Sequence, residues 1–267
     1  MTSVKILGLF TCFIVAVLCI TPFIGLNMII AKIDISKTDG KGFAVLELFT
    51  SEGCSSCPPA DNLMAKIQQE KDGKAIYILA YHVDYWNRLG WKDRYSSADF
   101  SKRQLEYGRW FGLSTIYTPQ VIVNGKAEFV GSEESAIRGA ISVQLATTPT
   151  ATLMLQAHLD REGLRIEYQS TKTGKSSRLL IAILQKAAQS KVERGENAGH
   201  TLSHTQIVRA LQNEPLNITG IGSGIVLLPK DFNAKDWEIV GFIQNQSNGE
   251  IIAAAKADLN NGDNIKK

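Results

Sequence analysis

The stretch from Phe43 to Val83 constrains this chain more than any other part of it. Phe43 to Phe49 is an apolar run with the length and composition of a buried strand. Thr50 to Gly53 reads as a turn, and Cys54 opens a segment whose apolar residues Leu63, Met64 and Ile67 fall at helical spacing. Asp72-Gly73 ends that helix, and Ala75 to Val83 is a second buried strand. Strand, helix and strand in this order argue for a parallel βαβ unit, with Cys54 and Cys57 at the start of its helix.

The rest of the chain divides at about Thr147-Thr148-Pro149-Thr150. Before it lie an aromatic segment (Asp84 to Tyr95), a helix from Ser97 to Phe111 ended by Gly112, and Thr118-Pro119-Gln120 leading into Val121 to Val123. Asn124-Gly125 is a strong hairpin signal, with Lys126 to Val130 as the return strand. Ser132 to Leu145 reads as a further helix, whose first-turn Glu133 and Glu134 suit the helix dipole. Beyond the divide the pattern becomes one of strands: 151–159, 163–170, 178–185, 224–228, 237–246 and 251–256, with one short helix around Gln206 to Leu211. Such a half reads as an antiparallel sandwich of roughly 100 residues.

A chain of 267 residues suggests one or two domains at about 100–200 residues each. A net charge of +3, with no basic run interleaved with aromatics, excludes nucleic acid as an expected partner. From Ile6 to Ala31 no residue is charged, which matches the ~20 apolar residues needed to cross a bilayer. That run exceeds the ~7–15 residue core of a cleaved signal peptide. Cleavage after Ala31 would put Ile29 at −3. The expectation is therefore a signal peptide or, preferably, an uncleaved signal-anchor over 1–31; a buried core helix is the competing reading. The remainder would be secreted or periplasmic, touching the membrane only through that segment. Leu18 before Cys19 argues against a lipid-attachment site, so Cys12 and Cys19 are expected to be inert.

Two cysteines then remain, three positions apart. A pair this close encloses almost no chain, so linking it adds little stability by the loop-entropy argument. The spacing points to chemistry. Residues three apart in a first helical turn share a face. The leading cysteine meets the positive end of the helix dipole, which stabilises its thiolate and lowers the pKa from about 8.5 towards roughly 3.5–7.5. Pro58 and Pro59 lack N–H donors, so carbonyls near Cys54 and Ser55 cannot receive the usual helical bonds. These features predict a distorted first turn, an accessible Cys54 and a resolving Cys57.

The order of strand, Cys-x-x-Cys, helix, strand, helix and Thr-Pro before a hairpin is similar to that of the thioredoxin fold. The resemblance implies a cis Thr118–Pro119 bond packed against the dithiol, with the Thr118 backbone able to pair with a substrate chain. The stretches Leu46 to Asp61, His82 to Trp86, Tyr117 to Val121 and Arg194 to Gly199 resemble more closely a family of secreted thioredoxin-like proteins catalogued only as a domain of unknown function. That resemblance spans about residues 43 to 255 and implies a fold but no activity. Ser55-Ser56 replaces thioredoxin's Gly-Pro, and Gly53 stands where its tryptophan does. The place of its buried acid is Leu48, and the neighbouring Glu47 is carried as a candidate proton acceptor.

The expected fold is an α/β thioredoxin-like domain (40–147) followed by an antiparallel β-sandwich-like domain (148–258) and a tail (259–267). The expected function is exported thiol–disulfide exchange with protein thiols or disulfides of the cell envelope. Its site is Cys54, Cys57, Thr118, Pro119 and Glu47, and it has no cofactor beyond the redox-active disulfide. Three alternatives stay open. His82 at the end of the second strand could join both cysteines as a copper ligand, as in a metallochaperone; its competing role is a histidine in a polar network. The chain could be a non-catalytic envelope interaction module. The cysteines could form a structural disulfide or part of a metal site, although no second cysteine pair completes four zinc ligands. Tyr85, Trp86, Trp91 and Tyr95 are candidates for a substrate groove or for the packed interior of an ordered loop. His200 and His204, four apart, read as structural.

Overall fold

The structure, a computed structural model, describes residues 42–159, 163–171, 174, 176–217 and 219–260. The 1–31 segment and its export reading lie outside the described residues. Among the described residues no helix is long and apolar enough to cross a membrane.

The first half runs β1 (Ala44–Thr50), α1 (Pro58–Glu70), β2 (Ile76–His82), α2 (Ala98–Phe111), β3 (Gln120–Val123), β4 (Ala127–Val130) and α3 (Glu134–Ala146). β1 pairs with β2 in parallel and with β3 antiparallel, and β3 turns into β4. Asn124 and Gly125 both take positive φ, 49° and 63°, as the two-residue turn requires. Asn124 also closes the sheet end: its side chain accepts from Val45 N–H at 2.6 Å and donates to the Phe43 carbonyl at 3.0 Å.

The second half supplies β5 (Thr152–Leu159), β6 (Leu164–Thr171), β7 (Ser177–Lys191), β8 (Thr201–Glu214), β9 (Ile221–Val226), β10 (Trp237–Asn245), β11 (Ile251–Lys256) and β12 (Asp258–Asn260). Four of these strands do not leave the first half. They extend its sheet, giving one eight-stranded mixed sheet in the order β11-β10-β7-β8-β2-β1-β3-β4. The join is a parallel bridge between Ala80 of β2 and Ile207 of β8. A second sheet, β12-β5-β6-β9, lies against the β7–β10 part.

This corrects the expected fold class. The described chain is mostly β, with three α-helices. It is not an α/β thioredoxin-like domain followed by a sandwich of its own, because one sheet runs through both parts and all described residues belong to one unit. The misreading has a local cause. Gln206 to Leu211 lies in β8, not in a helix. The β7–β8 register shifts between Ile183 and Leu184, where Ala210 and Val208 are the successive partners and Arg209 is left over. Such a bulge puts apolar residues at 207, 208, 210 and 211, a spacing that imitates a helix.

Three apolar clusters follow from strand alternation. On one face α2 contributes Phe100 and Tyr107 to a core with Val45, Phe49, Tyr81, Leu180 and Phe242, which spans both halves of the sheet. On the other face α1 and α3 cover β1–β3 through Leu63, Met64, Ile67, Ile137 and Ile141. Beside them the small sheet covers β7 and β10 through Leu155, Ile166, Ile181 and Ile239. Fully burying each such Leu, Ile or Phe is worth roughly 1.5–3 kcal/mol. The long sheet is thus held as one body from both faces.

Candidate dithiol site

Cys54 and Cys57 are joined as a disulfide at the N-terminus of α1. Cys57 is the residue before the helix, with Pro58 and Pro59 in its first two positions. Prolines suit these places because the first helical N–H groups have no partner within the helix. The first helical donors are therefore Ala60 and Asp61, both bonded to the Cys57 carbonyl, at 2.9 and 3.1 Å. Contrary to the expected accessible thiol, Cys54 is fully buried, as is Cys57.

The Thr118–Pro119 bond is cis. Gly131 accepts no side chain, since a Cβ there would lie 2.8 Å from Ala60 Cβ and 2.9 Å from Pro119 Cβ, so Pro119 stands over the first turn of α1. Trp86 ties this side to the dithiol loop. Its indole N–H donates to Thr118 Oγ1 at 2.8 Å, and a Cβ on Gly53 would lie 3.2 Å from Trp86 Cβ. Gly53 leaves room where a larger residue before Cys54 would not fit.

Glu47 does not reach the dithiol. Both its oxygens are held by other groups: Arg103 of α2 bonds one at 2.6 Å and the Tyr107 hydroxyl donates to the other. Arg103 Nη1 donates to Gln244 Oε1 at 3.2 Å, and Gln244 donates to the Tyr107 oxygen at 2.8 Å. This network sits among the α2-face core, consistent with β1's alternation, in which Leu46 and Leu48 face α1.

Beneath the dithiol lies a second buried polar cluster. His82 closes β2, and its Nδ1 is 2.7 Å from Asp93 Oδ2. The same Asp93 oxygen accepts from Glu52 N–H at 2.9 Å, and Asp93 Oδ1 accepts from Tyr95 N–H. Glu52 receives the Trp91 indole N–H at 2.7 Å and meets His204 Nε2 of β8 at 3.2 Å. The two imidazoles are edge to face, 4.8 Å between centroids, with Tyr95 against both. His82 Nε2 and His204 Nδ1 are buried without a hydrogen-bond partner.

Asp61, one turn after Cys57, completes the cluster. Its Oδ2 accepts the Thr50 hydroxyl at 3.0 Å, and it lines a cleft with Pro58, Asn62, His200, Thr201 and Ser203. Burial pushes its carboxyl pKa up to about 6, against the opposing pull of His82, His204 and the Thr50 hydroxyl. Burial would lower the His82 pKa, but the charge and hydrogen bond of Asp93 outweigh it and hold the ring above its usual value. Asp93 is correspondingly lowered, the His82 charge and hydrogen bonds overcoming its own burial.

The aromatic segment has anchored polar tips, and of its four aromatics Tyr95 is buried while Tyr85, Trp86 and Trp91 are partly exposed. Tyr85 donates to Gln104, and Trp86 and Trp91 are bonded as above. His200 is exposed while His204 is buried, so the two do not form a pair. Among the described residues no three His, Cys, Asp or Glu side chains are grouped to hold a metal ion.

Glu52, Asp61 and Asp93 carried no signal that sequence reasoning used. An acid in a helix's first turn, such as Asp61, ordinarily answers the helix dipole at the surface. His204 was visible only as a spacing from His200.

Two solved structures share the fold. Protein AGR_C_4864 from Agrobacterium tumefaciens matches with a TM-score of 0.60 at 24% identity, covering 80% of this chain and 92% of that one. HBP35 of Porphyromonas gingivalis matches with a TM-score of 0.55 at 20% identity, covering 82% and 76%. No curated protein matches the chain. The family model described as "Protein of unknown function (DUF1223)" matches residues 45–244, most of the chain and all of the dithiol site, and the chain belongs to that family.

Proposed function

We propose that this protein is an exported thiol–disulfide oxidoreductase working through Cys54 and Cys57. The observation that carries the reading is the disulfide at the α1 N-terminus, set between cis Thr118–Pro119 and a buried cluster in which burial pushes the Asp61 carboxyl pKa up to about 6. Kinship with the thioredoxin-like superfamily belongs to this proposal too. Its support is the local order of β1, dithiol, α1, β2 and the cis-proline before β3, and it does not extend to the sheet as a whole.

From the oxidised state, the thiolate of a substrate dithiol attacks Cys54 Sγ. The Cys54–Cys57 bond breaks, a mixed disulfide forms, and Cys57 leaves as a thiolate stabilised by the helix end. The substrate's second thiol loses its proton and attacks the mixed disulfide, releasing Cys54. The substrate has lost two electrons and become a disulfide; Cys54 and Cys57 have gained them and two protons. Asp61, a turn from Cys57 and half protonated near pH 6, is the group we assign to give Cys57 its proton and take it back in the reverse direction. The partners are protein thiols or disulfides of the cell envelope, reached through the export segment read at 1–31.

Cys54→Ser should abolish both insulin reduction and dithiol oxidation by the purified protein. Full activity in that variant removes the proposal. The copper alternative has weaker support, since both cysteines are joined in the disulfide and, among the described residues, no three His, Cys, Asp or Glu side chains are grouped to hold a metal ion.

A further inference from the structure

Residues far along the chain bond the backbone that leads into and through the dithiol, whose two cysteines are buried. The turn between β7 and β8, residues 192–200, folds over the start of α1. The Glu196 carboxylate accepts both the Ser55 N–H, at 2.9 Å, and the Ser55 hydroxyl, at 2.7 Å. The Asn197 side-chain amide donates to the carbonyls of Glu52 and Cys54, at 2.9 and 3.0 Å. The Cys54 carbonyl also accepts the Cys57 N–H at 3.2 Å, and because Pro58, four residues on, has no N–H, its remaining lone pair is left to Asn197.

Two glycines bracket the tip of the turn. Gly195 and Gly199 have φ of 81° and 84°, values that L side chains rarely adopt, and they bracket Glu196, Asn197 and Ala198. The turn's base is fixed by Val192 N–H to the His200 carbonyl and Gly199 N–H to the Val192 carbonyl. Its tip has a different anchorage: apart from turn bonds of its own, it is held by the two side chains latched onto residues 52–55. Glu196 is exposed, so solvent can compete for its carboxylate, whereas Asn197 is buried.

We propose that residues 195–199 form a gate over the Cys54–Cys57 disulfide, latched by Glu196 and Asn197, that must lift before any thiol reaches Cys54. The gate shields the pair from small thiols and yields to a partner able to displace the latch from residues 52–55. This rests on the dithiol being the working centre, but access can be measured apart from activity.

The test is the rate at which dithiothreitol reduces the disulfide in the full chain, followed by tryptophan fluorescence or mass shift. Glu196→Ala should speed reduction about twofold to fivefold, a modest effect because solvent competes for an exposed carboxylate. Asn197→Ala should do the same or more, while Glu193→Ala, an exposed neighbour outside the latch, should leave the rate unchanged. If Asn197→Ala misfolds, Glu196→Ala and Glu196→Gln carry the test, since that side chain is exposed. Wild-type rates in Glu196→Ala overturn the gate, as does an equal acceleration in Glu193→Ala. The insulin assay on Cys54→Ser decides the oxidoreductase reading separately, so either idea can fail while the other stands.

Discussion

Two buried polar clusters flank the β1–β2 pair, and they are built on opposite principles. On the α2 face, both oxygens of Glu47 and all three guanidinium nitrogens of Arg103 have partners. Burial and the Glu47 charge push the Tyr107 hydroxyl far above its ordinary pKa, and Arg103 stays charged. Under the dithiol, three acids and two histidines are also bonded, but two ring nitrogens have no partner and burial pushes the Asp61 carboxyl pKa up to about 6. On the α2 face Tyr107 keeps its proton and Arg103 its charge at any physiological pH. The cluster under the dithiol has ring nitrogens and a carboxyl able to exchange a proton, the property that the proposed dithiol chemistry needs.

The largest effect should come from breaking the closed network. Arg103→Met leaves Glu47 buried without its counter-charge, with only the Tyr107 hydroxyl bonded to it, and removing one partner of a buried ion pair costs about 3–5 kcal/mol. Urea unfolding should register this, with little change in how fast dithiothreitol reduces the disulfide. A stability loss under 1 kcal/mol would mean that Glu47 is not held there as a charge.

Next comes Asp61. Its folded pKa, about 6, lies above the ordinary value of 3.8, so between those pH values the unfolded state ionises first and is favoured. Stability should therefore fall as pH rises from about 4 to about 6 and stay lowered above that, by up to on the order of 3 kcal/mol for a shift of this size. Asp61→Asn should flatten that fall and move the pH profile of dithiol exchange. An unchanged slope in the variant would assign the titration to another group. His82 acts in the same direction: its raised pKa contributes stability at low pH that is lost as the ring deprotonates. Smallest is Trp91→Phe, which removes the indole N–H from Glu52 and should cost about 1.5 kcal/mol, read by the same unfolding curves.

What could be read in advance was whatever depends on neighbours in sequence. β1, α1, β2 and the Asn124-Gly125 hairpin rest on apolar runs, helical spacing and a turn dipeptide, and each appears where those signals put it. The cis Thr118–Pro119 bond came from resemblance and is present. The sheet's true extent was hidden, because the Arg209 bulge makes β8 imitate a helix and its pairing with β2 joins residues 80 and 207. The same distance hid most of the site. Glu196 meets Ser55 and His204 meets Glu52 only after the second half has folded back, and no local pattern in either residue's surroundings foretells it. Glu47 was singled out by its closeness along the chain to Leu48, yet strand alternation turns it to the opposite face.

The joining of β8 to β2 also gives the site a history. A chain that has emerged from the ribosome only as far as residue 147 carries Cys54 and Cys57 but neither His204 nor the Glu196 and Asn197 that bond residues 52–55. Long-range strand pairing of this kind forms late, after its loop-closure entropy has been met. On the gate proposed above, a chain grown only to residue 147 would present an open pair of thiols where the folded protein presents a buried pair.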